Sequence, residues 1–249
     1  MTVSRIGHLT SKSMAKYFDH TALKAETSAA QIERLCAEAK SLGTAAVCVN
    51  PVWIPLAVKL LSGSDVMPIT VVGFPLGATG TWTKIYESKD AISRGAQEID
   101  MVISLGELRS GHKDAVRRDI VDVKRACRDI PLKVIFETAL LTPQEIYEIA
   151  QWCAEDGIDF VKTSTGFSSR GASIDDIKIM REAITSVPQS RTKIKASGGI
   201  KNLADTLAMI DAGADRIGAS ATKDIMTEFM TWSQRGNSSL IARSVDGRA

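Results

Sequence analysis

Eight short apolar segments, most of them rich in β-branched residues, alternate along this chain with longer segments of helical periodicity. The apolar segments lie at residues 16–20, 45–49, 69–74, 98–103, 132–137, 158–163, 193–197 and 215–219. Strands that alternate with helices form a parallel sheet, because each helix returns the chain to the edge where the next strand begins. Eight such units within 249 residues predict an α/β fold of the closed (β/α)8 TIM-barrel type.

A weak internal repeat supports the barrel. A helical segment ends in glycine and runs directly into a strand at Gly43, Gly95, Gly157 and Gly213. Glycine permits the tight turns that a barrel needs on the face opposite its active site.

The chain contains no linker and no low-complexity segment, so we predict one domain over residues 1–249. Its core covers about residues 14–232, after a short N-terminal extension, and the tail at 233–249 is predicted to be loosely held. One helix carries a complete start signal, in which Thr142 is the N-cap, Pro143 the first helical residue and Glu145 the capping-box partner.

Composition and charge argue against several classes of protein. Hydrophobic residues make up 44% of the chain, and the net charge of +2 is too near zero to indicate nucleic acid or an acidic membrane surface as a partner. The four cysteines include no C-x-x-C pair, the N-terminus lacks a secretory signal, and no apolar run approaches the roughly 20 residues that span a bilayer. We therefore predict a cytoplasmic protein with reduced cysteines.

Three charged residues lie in otherwise apolar strands: Asp100, Lys162 and Lys195. If each side chain points into the barrel, the three charges converge near the C-terminal ends of the strands, where barrel chemistry takes place. The alternative is that each residue caps a strand end and points to solvent. For three such residues in one barrel, we favour a site.

A pair of lysines suits imine chemistry. An ordinary lysine is protonated at neutral pH and cannot attack a carbonyl. Burial and a second ammonium nearby both lower the pKa of a lysine, which makes the amine nucleophilic. A neighbouring carboxylate can then transfer protons.

Two glycine-serine loops, "ASGGIKN" at 196–202 and "GASAT" at 218–222, follow the last two predicted strands. Barrels often bind phosphate in these two loops, through backbone N–H groups that glycine leaves exposed. The alternative is that both are only tight turns. No histidine spacing resembles a metal site, and no nucleotide-binding pattern is present, so we predict neither a metal nor a cofactor.

The sequence at the strand ends resembles the deoxyribose-phosphate aldolase family, in order from about Phe18 to Ser220. The match "VKTSTGF" followed by "KASGGI" is highly specific for that family. The matching stretches are "FDHTALK" (18–24), "AAVCVNP" (45–51), "VVGFPLG" (71–77), "EIDMVIS" (98–104), "VIFET" (134–138), "FVKTSTGF" (160–167), "IKASGGI" (194–200) and "RIGAS" (216–220).

The resemblance implies a metal-free class I aldolase that reversibly cleaves 2-deoxy-D-ribose 5-phosphate to acetaldehyde and D-glyceraldehyde 3-phosphate. Its partners would be these small molecules. Family members are commonly dimers, so the resemblance makes a homodimer possible, although the sequence shows no interface. The family's Schiff-base lysine falls on Lys162, its second lysine on Lys195 and its proton-relay aspartate on Asp100. The substrate-contacting positions fall on Asp19, Cys48 and Thr165, and the phosphate-binding positions on Gly166, Ser197, Gly198, Gly199, Lys201, Gly218 and Ser220. For Cys48, a role as a small core residue is an equal alternative.

Some positions depart from the family pattern. Lys201 stands where many members carry arginine, and Phe167 stands where some carry lysine, which removes one possible phosphate cation. The chain also ends without the tyrosine that assists proton transfer in some members. Two alternative functions are a class I aldolase acting on another phosphorylated sugar, and a barrel that binds a sugar phosphate without catalysis.

Overall fold

The computed structural model describes residues 6–234 and forms a closed barrel of eight parallel strands in sequence order. The strands are β1 (Phe18–Ala22), β2 (Ala46–Val49), β3 (Met67–Val72), β4 (Glu98–Val102), β5 (Leu132–Ile135), β6 (Phe160–Lys162), β7 (Lys193–Ser197) and β8 (Arg216–Ala219). Each strand pairs with the next, and β8 pairs with β1 to close the barrel. The predicted (β/α)8 barrel is confirmed, and every predicted strand is present.

Helices surround the barrel and connect its strands. They are α1 (Ser11–Ala15), α2 (Ala29–Leu42), α3 (Ile54–Leu61), α4 (Thr81–Ser93), α5 (Leu105–Arg109), α6 (Lys113–Cys127), α7 (Pro143–Glu155), α8 (Ile174–Thr185), α9 (Leu203–Ala212) and α10 (Thr222–Gln234). Helix α10 continues two residues into the predicted tail, and residues 235–249 lie outside the described part of the chain.

The predicted helix ends are confirmed by their hydrogen bonds and dihedral angles. At the start of α7, the Thr142 hydroxyl accepts from the Glu145 N–H at 3.2 Å, and the Glu145 carboxylate accepts from the Thr142 N–H at 2.7 Å. This reciprocal pair satisfies two amides that would otherwise lack a partner. The four glycines of the internal repeat all have positive φ, between 68° and 122°, in the turns that lead into strands.

The strands separate two environments. On their outer face, alternate side chains such as Val47, Ile99, Val134 and Ile217 pack with the helices in one continuous apolar core. Side chains of opposite parity point into the barrel, because successive residues of a strand alternate between its faces. The outer core stabilises the barrel, which leaves the inner face available for polar groups.

One buried ion pair lies outside the barrel interior. Lys84 on α4 is fully buried, and its Nζ donates to Asp119 Oδ2 on α6 at 2.6 Å and to Ser104 Oγ at 3.2 Å. Removing one partner from such a pair leaves an uncompensated charge in the protein.

We expect Lys84→Met to lower the free energy of unfolding by about 3–5 kcal/mol, since Asp119 would then be buried without a cation. Urea denaturation followed by circular dichroism measures this change. Replacing both residues in Lys84→Met/Asp119→Leu should recover most of the loss. A single variant within about 0.5 kcal/mol of the wild type would contradict this reading of the pair.

Candidate active site

The inner face of the barrel is divided into an apolar sector and a charged sector. The apolar sector comes from β2 and β3, with the residue after β1, and consists of Ala46, Cys48, Ile69, Val71 and Leu23. The charged sector comes from β1 and from β4 to β8, and consists of Asp19, Glu98, Asp100, Lys133, Lys162, Lys195 and Arg216. Buried charges are costly unless they are paired, so the pairing within this sector determines its chemistry.

The carboxylate of Asp100 is the centre of the charged sector. Its Oδ2 atom accepts from Lys162 Nζ at 2.8 Å and from Lys195 Nζ at 2.9 Å. Its Oδ1 atom accepts from Lys133 Nζ at 3.0 Å. One fully buried carboxylate thus contacts three lysines, each from a different strand.

The register of the strands explains this convergence. Asp100 is aligned with Lys133 across β4 and β5, and Lys162 is aligned with Lys195 across β6 and β7. Aligned residues of neighbouring strands point to the same face of a sheet. In a closed barrel that shared face is the interior, where long lysine side chains from β5, β6 and β7 reach the same carboxylate.

A second carboxylate, Asp19, lies on the other side of Lys195. Lys195 Nζ is 2.5 Å from Asp19 Oδ2, and Arg216 Nη1 donates to Asp19 Oδ1 at 2.6 Å. Burial alone would raise the pKa of Asp19, but Lys195 and Arg216 hold it below its usual value. Burial alone would lower the pKa of Lys195, but Asp100 and Asp19 outweigh burial and raise it. Lys195 is therefore a cation at neutral pH.

Lys162 differs from the other two lysines, although only 3% of its side chain is exposed. Burial lowers the pKa of Lys162, the attraction of Asp100 opposes that effect, and the positive charge of Lys195 adds to it, so that the net shift is downward. The pKa of Lys133 is raised instead: burial opposes the increase, but Asp100 and Glu98 outweigh it. Lys162 is thus the lysine of this group that most readily loses its proton.

Charge balance leads to the same residue. With every group ionised, the charged sector would hold four cations and three anions, which leaves one positive charge without a partner. An unbalanced charge is disfavoured in a low-dielectric interior. Arginine does not deprotonate in proteins, and two of the lysines have raised pKa values. An uncharged Lys162 brings the interior to neutrality.

The sequence prediction that Asp100, Lys162 and Lys195 converge inside the barrel is confirmed. The alternative that they cap strand ends in solvent is wrong, since the three side chains are between 0% and 3% exposed. Sequence reasoning missed three members of the charged sector: Lys133, Glu98 and Arg216. Their signal is present, because Lys133 stands alone between apolar neighbours and Glu98 precedes Asp100 by two residues, on the same face of β4.

Cys48 lies in the apolar sector and is fully buried. Burial raises the pKa of its thiol to about 11, and Lys195, Asp100 and Lys162 are near enough to act on that pKa. At neutral pH the thiol is protonated and packs as a small apolar group next to the charged sector. Cys48 therefore packs as the small core residue that was one of its two predicted roles. Its contact with substrate stays a prediction.

Thr165 follows β6 and is held by Glu137, a residue that sequence reasoning missed. The Thr165 hydroxyl donates to Glu137 Oε2 and accepts from the Phe167 N–H at 3.1 Å. Glu137 is buried after β5 in the left-handed region, with φ 58°, a conformation that costs a non-glycine residue energy. Both hydrogen bonds of the Thr165 hydroxyl therefore hold the loop after β6 in place.

The loops after β6 and β7 approach each other through glycine backbone. A Cβ atom added to Gly171 would lie 2.0 Å from the carbonyl oxygen of Gly198, so no side chain fits there. Gly166, Gly198 and Gly199 have φ values of 89°, 82° and 77°, which favour glycine. Within residues 6–234, the backbone N–H groups of these three residues donate to no protein acceptor. We refer to Gly166, Gly171, Gly198 and Gly199 as the glycine cradle.

The remaining predicted phosphate residues lie in different environments. Ser197 is buried, and its hydroxyl donates to the Ser164 carbonyl at 2.5 Å, which connects the two loops. Gly218 lies within β8 rather than in the loop after it, and a Cβ there would be 3.0 Å from Lys195 Cε, so glycine at this position makes room for Lys195. Ser220 and Lys201 are both exposed.

Two aromatic rings meet above the site. Phe74, after β3, and Phe167, after β6, form an edge-to-face contact with centroids 5.4 Å apart. Phe74 also packs against the apolar sector, and 54% of Phe167 is exposed. Since β3 and β6 are not adjacent, this contact bridges part of the barrel mouth.

Neither a metal centre nor a membrane span is visible in the part of the chain that is described. Among residues 6–234, no three His, Cys, Asp or Glu side chains are grouped so that they could hold a metal ion. No helix in the same residues combines the length and the apolar character that crossing a bilayer requires.

Two curated relatives cover most of the chain. A deoxyribose-phosphate aldolase of Exiguobacterium sp. is 50% identical over 215 residues, which cover 86% of this chain and 96% of that protein. A deoxyribose-phosphate aldolase of Brevibacillus brevis is 46% identical over 218 residues, which cover 88% and 97% of the two chains.

Solved structures agree with the fold, and a family model agrees with the sequence. The structure of an aldolase called QR15 is 38% identical, with a TM-score of 0.83 over 90% of this chain and 98% of that chain. A deoxyribose phosphate aldolase from Aeropyrum pernix is 26% identical, with a TM-score of 0.81 over 89% and 93% of the two chains. The model of the DeoC/LacD family aldolases matches residues 13–238. The chain therefore belongs to the DeoC/LacD family of aldolases.

Proposed function

We propose that this enzyme catalyses the reversible retro-aldol cleavage of 2-deoxy-D-ribose 5-phosphate to acetaldehyde and D-glyceraldehyde 3-phosphate, through a Schiff base on Lys162. The observation that carries the proposal is a buried lysine, Lys162, that shares one carboxylate oxygen of Asp100 with a second buried lysine, Lys195. Burial and the charge of Lys195 lower the pKa of Lys162. The names of the curated relatives support the choice of substrate. A site that only binds a sugar phosphate would gain nothing from an uncharged amine.

The imine provides the electron sink that the cleavage needs. The uncharged amine of Lys162 attacks the C1 aldehyde of the open-chain sugar, and loss of water leaves a protonated imine. The imine nitrogen then draws the electron pair of the C2–C3 bond as the C3 hydroxyl loses its proton, and D-glyceraldehyde 3-phosphate departs. The remaining enamine takes a proton at C2, and water hydrolyses the imine to release acetaldehyde and the free amine.

Asp100 and Lys195 are proposed to manage the protons of this sequence. Asp100 Oδ2 contacts both lysines, so it can transfer a proton to or from groups bound at Lys162, directly or through water. Lys195 keeps its own charge, because Asp19 and Asp100 both neutralise it. That charge disfavours an ammonium at Lys162. The apolar sector on the opposite wall excludes water and so maintains the low dielectric on which these effects depend.

The glycine cradle is proposed to hold the phosphate. Its open backbone N–H groups at Gly166, Gly198 and Gly199 are suited to an anion, and they follow β6 and β7 at the C-terminal face of the barrel. Gly218 and Ser220 would complete the site from β8 and the loop after it, and the exposed Lys201 would add a mobile point charge. Asp19, Cys48 and Thr165 are proposed to line the sugar, Asp19 through its contact with Lys195.

The wider setting is part of the same proposal. We propose a single catalytic domain in the cytoplasm that works without a metal or an organic cofactor. A homodimer stays a prediction, and the relative from Aeropyrum pernix is described as a unique tetrameric structure.

Lys162→Arg should abolish both turnover of deoxyribose 5-phosphate and trapping of acetaldehyde by borohydride, because a guanidinium is always protonated and cannot form the imine. The wild type should cleave deoxyribose 5-phosphate in the presence of EDTA. Mass spectrometry should locate the reduced adduct on Lys162. The proposal fails if EDTA abolishes activity and a divalent ion restores it, or if trapping labels Lys195 instead.

Lys195→Leu should raise the pKa of Lys162, because it removes the positive charge that lowers this pKa and leaves Asp100 to act on Lys162. A rise of one unit corresponds to about 1.4 kcal/mol and to about tenfold less free amine at neutral pH. Borohydride trapping at Lys162 should therefore persist but become slower and move to higher pH. An unchanged pH profile of trapping would show that Lys195 does not tune Lys162.

Lys201→Leu tests the cationic part of the phosphate site. We expect the KM for deoxyribose 5-phosphate to rise several-fold, on the order of 1 kcal/mol for an exposed charge. The kinetics with unphosphorylated deoxyribose should barely change. An equal loss on both substrates would remove Lys201 from the phosphate site, and no loss on either would assign phosphate binding to the backbone of the glycine cradle.

A further inference from the structure

Lys133 is the third lysine of the charged sector, and the mechanism above gives it no role. Its side chain is fully buried in the middle of the barrel, although burying a lysine is costly. Its Nζ atom donates to Asp100 Oδ1 at 3.0 Å and to Glu98 Oε2. A strand of an ordinary barrel would carry a branched apolar residue at such an inward position.

We propose that Lys133 is a positioning residue for the imine chemistry, which holds Oδ1 of Asp100 and supplies the positive charge that allows Lys162 to stay an uncharged amine. The inference rests on the proposed function, since it concerns the protonation of the Schiff-base lysine. Lys133 itself has no contact with Lys162 and acts on it through Asp100.

The two oxygens of Asp100 bind different lysines. Oδ1 is taken by Lys133, while Oδ2 is shared by Lys162 and Lys195. A carboxylate held at one oxygen by a buried cation cannot rotate freely. Its other oxygen is thereby fixed between the two lysines that the reaction needs.

The charge balance of the interior also depends on Lys133. With Lys162 uncharged, three cations face three anions, and the sector is neutral. Without Lys133, two cations would face three anions, and protonation of Lys162 would restore neutrality. Lys133 therefore favours the free amine, although it lies on the far side of Asp100.

The charges that bear on Lys162 come from nearly every strand of the barrel. They are Asp19 from β1, Glu98 and Asp100 from β4, Lys133 from β5, Lys195 from β7 and Arg216 from β8, while β2 contributes the protonated thiol of Cys48 and β3 contributes apolar side chains. Glu98 contacts Lys133 and Arg216 but not Lys162. Removing its negative charge should therefore lower the pKa of Lys162, whereas removing the positive charge of Lys133 should raise it.

The experiment measures the pH at which borohydride trapping of acetaldehyde at Lys162 reaches half its maximum. Lys133→Met removes a cation and should move this midpoint upward, with trapping at neutral pH about tenfold slower for each pH unit that the midpoint moves. Glu98→Gln removes an anion but keeps an acceptor for Lys133, so the midpoint should move downward. Lys84→Met is the matched control, because it also removes a fully buried lysine that is paired with a carboxylate, but outside the barrel interior.

The outcomes separate this inference from the proposed function. If wild-type protein forms no adduct at Lys162, the proposed function fails. If the wild type forms the adduct but Lys133→Met leaves the midpoint unchanged, or Lys84→Met shifts it equally, the positioning role of Lys133 is overturned. If Lys133→Met does not fold, Glu98→Gln decides, since an unshifted midpoint in that variant overturns the charge-balance argument and a downward shift supports it.

Discussion

The interior of this barrel depends on one carboxylate that is shared by three lysines. Asp100 pairs with Lys162 and Lys195 through one oxygen and with Lys133 through the other. Burial would by itself raise the pKa of Asp100, but the three lysines outweigh burial and hold that pKa well below its usual value. The carboxylate therefore stays ionised, and the lysines compete for it. That competition leaves Lys162 with a lowered pKa and Lys133 and Lys195 with raised ones.

A charged interior is tolerated because the stability of the barrel comes from elsewhere. The outer faces of the strands pack with the helices in a continuous apolar core. Burial of that apolar surface stabilises the fold, so the inner faces need not be apolar as well. The apolar sector of β2 and β3 supplies the low dielectric on one side of the site, and the contact between Phe74 and Phe167 covers part of the mouth. Each of these features strengthens the electrostatic effects on Lys162.

The loops after β6 and β7 rely on backbone groups rather than on charged side chains. At the glycine cradle, the backbone of Gly171 approaches that of Gly198 so closely that any side chain would clash. The same absence of side chains exposes backbone N–H groups, which can bind an anion without adding charge to the interior. The structure thus separates a charged, lysine-rich region inside the barrel from an uncharged, amide-lined region in the loops after β6 and β7.

The sequence by itself determined the barrel and its strands, because these follow from local periodicity. The alternation of side chains along a strand made the convergence of Asp100, Lys162 and Lys195 the favoured prediction, and the closed barrel decided that they point inward. It also determined the start of α7, which depends on residues only three apart. Only the tertiary structure decided that Lys133 and Glu98 belong to the same network, that Gly171 completes the glycine cradle and that Gly218 makes room for Lys195. These contacts join residues from different strands and loops, and their distances depend on how the closed barrel aligns its strands. Local sequence patterns do not contain that information.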